Sequence, residues 1–206
     1  MTLDLLVEPL AVVSGIAAVA LTVKQRVINW PIGIVSTALF LYLFIRAGLY
    51  ADSALQVLYV GLGLYGWWHW LHGGLTGDDL RVSSVSKRTL VIGFVVVVCA
   101  VGAVGAFLDA STDSTVPYPD AATTVLSVAA QILLTRKLIE SWPVWIFGVN
   151  VPYVAIYLYK GLPLTAALQF VFIALSIAGW LEWRRSMLES TSGIPATAPS
   201  VTGATA

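Results

Sequence analysis

The sequence predicts an all-α membrane protein with seven transmembrane helices, arranged as a parallel 3+1+3 repeat in which helix 4 links two three-helix bundles. Three observations support this fold class: an apolar composition, seven long hydrophobic segments and an internal repeat. Of the 206 residues, 58% are hydrophobic and 11% are charged, whereas an ordinary soluble domain has about 45–50% apolar and about 25% charged residues. Such a chain cannot cover its own surface with polar groups, which excludes a soluble enzyme and a disordered chain.

The charges and the single cysteine exclude further function classes. The formal net charge of +0 leaves no general basic surface, so we expect no nucleic-acid partner. Cys99 is the only cysteine, which excludes a disulfide framework and a cysteine-rich metal site. The sequence has no Gly-x-x-x-x-Gly-Lys phosphate loop, and no acidic or basic residue lies midway along a hydrophobic segment. We therefore expect no enzyme, no cofactor and no metal, but passive movement of a neutral or weakly charged solute.

Seven hydrophobic segments reach or approach the length that crosses a membrane. A hydrocarbon core about 30 Å thick requires about 20 apolar residues in a helix, and backbone groups in lipid must be satisfied within the segment. The segments are residues 5–23, 27–45, 53–71, 89–108, 121–135, 142–159 and 164–183. The domains expected from them are a first bundle over 1–71, a linker with helix 4 over 72–120, a second bundle over 121–185 and a disordered cytoplasmic tail over 186–206.

The basic residues between the segments predict the orientation. Nine of the 11 Lys and Arg residues lie on one side of the membrane, and only Arg46 and Lys160 lie on the other. Basic residues concentrate on the cytoplasmic side. We therefore expect a multi-pass protein of the inner (plasma) membrane, with the N-terminus outside and the C-terminus in the cytoplasm.

An internal repeat relates the first three segments to the last three. Residues 22–70 match residues 135–183 at an offset of 113, which falls to 112 at the pairs Trp30-Pro31 and Trp142-Pro143. The second copy therefore lacks one residue before Trp142 and gains one between Pro143 and Gly161. Helices 1 and 5 run in the same direction, so the repeat is parallel. Repeats of this kind are typical of transporters that hold a substrate between the two halves.

Four side-chain amides inside the segments are candidate ligands for a substrate. Asn150 lies near the bilayer centre, Gln131 is on helix 5, and Gln56 and Gln169 occupy equivalent positions of the two repeats. Amides pair a donor with an acceptor, as a heteroaromatic carboxamide or a ribose requires. The alternative is that these amides form hydrogen bonds between helices.

Most tryptophans are expected to anchor helices at the membrane surface, because aromatic residues concentrate there. Trp145 differs, because it lies about one turn deeper than Trp142 and its counterpart in the first repeat is Gly33. We expect Trp145 to stack on a ring, and Tyr153 to lie on nearly the same face as Asn150, three residues away. The tryptophans assigned to the interface are Trp67, Trp68, Trp70, Trp180 and Trp183.

Several motifs in these segments resemble the PnuC family of vitamin transporters, and the resemblance covers residues 5–185. The motifs are NWPIGI at 29–34, GLYAD at 48–52, LQ at 55–56, YGW at 65–67, ESWPVW at 140–145 and YLYKGL at 157–162. The resemblance implies a seven-helix 3+1+3 fold like that of a full-length SWEET protein, and a homotrimer in the lipid bilayer. It also implies facilitated diffusion of nicotinamide riboside, which a cytoplasmic kinase then traps, with Trp142 and Trp145 at the substrate.

The chain departs from the family pattern at one position. The family has Trp-x-x-Trp-x-x-x followed by Asn or Asp, whereas Val149 stands at that last position here and Asn150 follows it. Either a local bulge restores the direction of Asn150 or the site differs. Thiamine, riboflavin, or the sugar of a SWEET-like carrier therefore stay open as alternative substrates.

Overall fold

The computed structural model describes residues 4–73, 80–112, 114–159 and 161–192, and these residues form the seven predicted helices. Outside the helices, the described residues form turns, short connections and one isolated parallel bridge between Ser83 and Leu138. The helices are α1 Asp4–Val23, α2 Asn29–Arg46, α3 Tyr50–His72, α4 Lys87–Ser111, α5 Pro117–Thr135, α6 Ser141–Tyr159 and α7 Pro163–Ser192.

Five of these helices, α1, α2, α4, α6 and α7, are long and apolar enough to cross a membrane. Helices α3 and α5 have 23 and 19 residues, which at about 1.5 Å per residue also suits a hydrocarbon core about 30 Å thick. Helix α5 is less apolar because it carries Thr123, Ser127 and Thr135 at multiples of four residues, and all three side chains are buried. Its polar residues thus form a stripe that faces protein.

Six helices pack in a closed ring. Each of α1, α2, α3, α5, α6 and α7 contacts the next in that order, and α7 returns to α1. Among the described helices, α4 packs only on α5, where Gly105 lies against the ring of Tyr118 and leaves no room for a Cβ atom. The ring therefore encloses an interior that α4 does not reach.

Two glycine turns show that the sequence repeat is also a repeat of local structure. Gly48 and Gly161, which are equivalent in the repeat, end α2 and α6 with φ angles of 74° and 72°. In both turns the next residue donates its N–H to the carbonyl five residues back, Leu49 to Phe44 at 2.8 Å and Leu162 to Tyr157 at 2.8 Å. This is the Schellman cap, which favours glycine because of its left-handed backbone.

The core at one end of the ring is a cluster of four tryptophans, Trp30, Trp70, Trp142 and Trp183. Trp30 meets Trp70 edge to face at 5.4 Å between ring centroids, Trp142 meets Trp183 at 5.2 Å, and Trp70 lies 5.9 Å from Trp183. Trp70 and Trp183 are only 2% and 0% exposed. The prediction that these two anchor the membrane surface was wrong, because their rings fill the space between the two halves of the repeat.

Hydrogen bonds from this four-tryptophan cluster cross between the halves. The indole N–H of Trp70 donates to the carbonyl of Leu134 on α5 at 3.2 Å, and that of Trp183 donates to the carbonyl of Thr22 on α1 at 3.1 Å. Each third helix of a repeat is thereby attached to the first helix of the other repeat.

The connection from α3 to α4 covers the same end of the ring. The N–H of Ser83 donates to Lys137 O at 3.2 Å, and the N–H of Ile139 donates to Ser83 O at 3.0 Å. The Lys137 ammonium donates to Leu80 O at 2.6 Å and lies 4.7 Å from the centroid of the Trp70 ring. We call residues 80–85 the strap.

The carboxylate of Glu140 completes this attachment. Its Oε1 accepts hydrogen bonds from the Ser84 hydroxyl and from the N–H of Val85. Val82, in the middle of the strap, is buried against the four-tryptophan cluster. Residues 74–79 of the same connection lie outside the described residues.

The last helix is longer than expected. Residues 186–192, which were predicted to begin a disordered tail, continue α7 as helix. An ion pair between Arg185 and Glu189 at 3.0 Å joins successive turns there, and such pairs stabilise an exposed helix. The rest of the predicted tail, residues 193–206, lies outside the described residues.

The packing of two tryptophan rings against glycines gives a first prediction. The rings of Trp30 and Trp142 lie directly on Gly66 and Gly179, where an added Cβ would overlap them. We expect Gly66→Ala and Gly179→Ala each to lower the free energy of unfolding by about 1–3 kcal/mol. The measurement is the melting temperature of the purified protein in detergent.

Gly61→Ala is the matched control, because it lies on the same helix as Gly66 with open space around its Cβ position. It should leave the melting temperature unchanged or raise it, since alanine is the better helix former. Equal effects of Gly61→Ala and Gly66→Ala would contradict this account of the packing.

Candidate functional site

The ring of six helices encloses a cavity of about 350 Å³. Every helix except α4 contributes to its wall, so the cavity lies between the two halves of the repeat. Its volume is at the lower end of the range for small-molecule sites, roughly 300–1,000 Å³.

The structure brings six of the seven predicted site residues to this cavity and leaves one away from it. The wall includes Trp142, Trp145, Asn150 and Tyr153 of α6, Gln131 of α5 and Gln169 of α7. Gln56 of α3 is not part of the wall, which α3 supplies through Tyr59 and Gly63. The equivalent positions Gln56 and Gln169 thus have different surroundings, and the structure does not bring Gln56 together with the other candidate ligands.

A π-helical turn in α6 resolves the question of how Asn150 is oriented. Residues Val144–Asn150 form π-helix, and the N–H of Val151 bonds to the carbonyl of Ile146, five residues back. Insertion of one residue into an α-helix commonly produces such a turn, often at a functional site. Asn150 is 5% exposed and lies on the cavity wall. Of the two outcomes left open by the sequence, the local bulge is the one that occurs.

The wall combines flat aromatic surfaces with uncharged polar groups. Trp145 and Tyr153 lie on the same side of the cavity as Asn150, because all three belong to α6. None of the residues that line the described cavity is acidic or basic. Such a wall can stack on a ring and hydrogen-bond to amide or hydroxyl groups without neutralising a charge.

Three hydroxyl groups of the wall already donate to backbone carbonyls. Ser36 donates to Ala11 O at 2.7 Å, which ties α2 to α1, and Thr22 and Thr37 donate to carbonyls four residues back in their own helices. Within the described part of the chain, no hydrogen bond involves the side-chain amide of Gln131 or Asn150. These amides therefore hold the hydrogen-bonding capacity that the fold itself does not use.

Two indole N–H groups on the wall also lack a protein acceptor. The Nε1 atoms of Trp30 and Trp142 are buried without a hydrogen-bond partner among the described residues. Buried polar groups are nearly always paired. Trp30 was not singled out from the sequence as a site residue, although its match to Trp142 in the repeat was a signal that could have identified it.

The residues 5–185 match the family model described as nicotinamide mononucleotide transporter. The chain belongs to this family. It is 24% identical to the nicotinamide riboside transporter PnuC of Escherichia coli strain K12, over 90% of this chain and 88% of that protein. It is 26% identical to the riboflavin/roseoflavin transporter RibM of Streptomyces davaonensis, over 88% of each chain. The chain is thus a membrane transporter of a vitamin-carrying family.

A solved structure shares the fold of this family member. The crystal structure of the vitamin B3 transporter PnuC superposes with a TM-score of 0.71, covers 89% of this chain and 82% of its own chain, and is 23% identical. The helices that enclose the cavity are therefore arranged as in an experimentally observed protein.

A hydrogen bond between Tyr59 of α3 and Ser127 of α5 gives the second prediction. Ser127 donates to Thr124 O at 2.7 Å, so its oxygen accepts from the Tyr59 hydroxyl. We expect Tyr59→Phe and Ser127→Ala each to lower the free energy of unfolding by about 0.5–1.5 kcal/mol. The double variant should lose clearly less than the sum, as measured by unfolding in detergent.

Tyr65→Phe on the same helix is the control, since the Tyr65 ring faces outward and is 41% exposed. It should have no measurable effect. Full additivity of the Tyr59 and Ser127 variants would show that the two side chains do not interact.

Proposed function

We propose that the protein carries nicotinamide riboside across the membrane into the cytoplasm by facilitated diffusion. The observation that supports this substrate best is the wall that α6 builds. Its aromatic rings can stack on the cationic pyridinium, the amide of Asn150 has no hydrogen bond to the described residues, and no basic side chain lines the cavity to repel the ligand. Relatives from four bacterial genera are named nicotinamide riboside transporters, which supports the same substrate. Because the relatives are named transporters, we propose no enzymatic activity.

Each wall residue has a role in this proposal. Trp145 stacks on the nicotinamide ring and Tyr153 packs beside it. Asn150 and Gln131 hydrogen-bond to the carboxamide and the ribose hydroxyls. Gln169 supplies a further polar contact from α7, and so does the indole N–H of Trp142 at the start of α6, which has no acceptor among the described residues.

The transport mode follows from the uncharged wall. The described lining has no acidic or basic residue that could carry a coupling proton, which supports movement of the vitamin down its own gradient. A cytoplasmic kinase would add a phosphate, and an uncharged pathway stabilises such an anion poorly. The product would then stay inside the cell.

The architecture we propose is the parallel 3+1+3 repeat of seven spans, including α3 and α5. Three observations support it. The two repeats have the same turn, at Gly48 and Gly161, and the same packing of a tryptophan ring on a glycine, at Gly66 and Gly179. Helix α4 lies outside the ring of six helices. Rocking of one bundle against the other would alternate access to the cavity. The nine basic residues on one side favour a cytoplasmic C-terminus and an outside N-terminus, and the family resemblance favours a homotrimer.

Riboflavin is the second candidate, because the riboflavin/roseoflavin transporter RibM covers as much of this chain as the PnuC relatives do. Thermal shift with nicotinamide riboside, riboflavin and thiamine separates the candidates, since a ligand that binds only the folded state raises the melting temperature. The largest shift should come from nicotinamide riboside.

The third prediction concerns the binding residues. In proteoliposomes loaded with purified protein, Trp145→Ala and Asn150→Ala should each reduce nicotinamide riboside uptake about tenfold or more, because each loses a stacking or hydrogen-bonding contact of about 1.4 kcal/mol. Phe147→Ala is the control on the same π-helical turn, since Phe147 is 67% exposed. Normal uptake by the Trp145→Ala, Asn150→Ala double variant would remove this site assignment.

A further inference from the structure

Helix α6 holds one residue more than its counterpart α2 between two fixed ends. At the start, Trp30 and Trp142 lie on equivalent glycines, and at the finish Gly48 and Gly161 make the same turn. The additional residue must therefore be accommodated within the helix. The π-helical turn Val144–Asn150 absorbs it, in a stretch where α2 is regular α-helix.

The turn changes which residues reach the cavity. In an uninterrupted α-helix, Trp142, Trp145 and Val149 share one face, and Asn150 would lie about 100° further round the axis. A π-helical turn is wound less tightly, so Asn150 is brought to the wall while Val149 stays there. Both residues line the cavity, and they are 2% and 5% exposed.

We propose that this turn makes Val149 a specificity-determining residue that limits the size of the ring the cavity accepts. The valine side chain takes up space in the cavity that Trp145 and Asn150 also line, and this cavity is already small for a ligand site at about 350 Å³. A vitamin with a single aromatic ring, such as nicotinamide riboside, fits beside it, and a vitamin with three fused rings, such as riboflavin, is excluded. The inference deepens the proposed function and rests on it for the identity of the ligands.

Removal of the Val149 side chain tests the size limit. We expect Val149→Ala to lower the ratio of the riboflavin Kd to the nicotinamide riboside Kd about tenfold, because one or two methyl groups in an apolar pocket change discrimination by about 10–200-fold. Val151→Ala is the matched control, since Val151 is on the same helix but is 46% exposed and does not line the cavity. The control should leave the ratio unchanged. A ratio that does not change in Val149→Ala overturns the proposal.

A pair of deletions tests the role of the turn without any ligand. Deletion of Val149 should let the segment relax to regular α-helix with the later residues in their present direction, so the melting temperature should fall by only a few degrees. Deletion of Val35 from the regular helix α2 should rotate the rest of that helix by about 100° and abolish folded protein. Equal losses from the two deletions overturn the proposal.

The binding experiment and the pair of deletions also distinguish this inference from the proposed function. Binding of neither vitamin by the unaltered protein refutes the proposed function and the ring-size selection together. The deletion pair then still decides whether the turn is a removable insertion. Binding of nicotinamide riboside with an unchanged ratio in Val149→Ala refutes the inference alone.

Discussion

At one end of the helix ring, the contact between the two halves of the molecule depends on the four-tryptophan cluster. Trp70 and Trp183 touch each other at the centre, and each donates its indole N–H to a carbonyl of the opposite half. Trp30 and Trp142 flank them edge to face and also form part of the cavity wall. The indole rings of Trp30 and Trp142 thus belong both to the packing between the halves and to the wall of the cavity.

The polar side chains of the cavity wall fall into two groups, those that bond to the protein and those that do not. Hydroxyl groups such as that of Ser36 are bonded to backbone carbonyls and join helices, whereas the amides of Gln131 and Asn150 are not bonded to the described residues. The two kinds of group look alike in a sequence, since both are small polar residues in an apolar segment. Only their neighbours separate a structural hydrogen bond from one that a ligand can make.

The helices and six residues of the wall could be predicted, because apolar length, polar residues within apolar segments and the internal repeat are visible in the sequence itself. The side of a helix from which a residue points was harder to predict. Gln56 is polar and equivalent to Gln169, yet it does not line the cavity. The burial of Trp70 and Trp183 was also missed, because a tryptophan near a helix end suits both a membrane interface and a core. The winding of α6 depends on both of its fixed ends, so the sequence alone could not decide whether a local bulge turns Asn150 toward the cavity or the site differs.

The strap has a consequence for movement. It belongs to the connection that follows α3, yet five hydrogen bonds fasten it to the turn between α5 and α6, and Val82 fills a place among the indole rings. Any displacement of the strap away from that turn must break these hydrogen bonds and withdraw Val82 from the cluster. This end of the helix ring is therefore held by two sets of contacts, the packed indole rings and the hydrogen bonds of the strap, and a movement that opens it has to disrupt both.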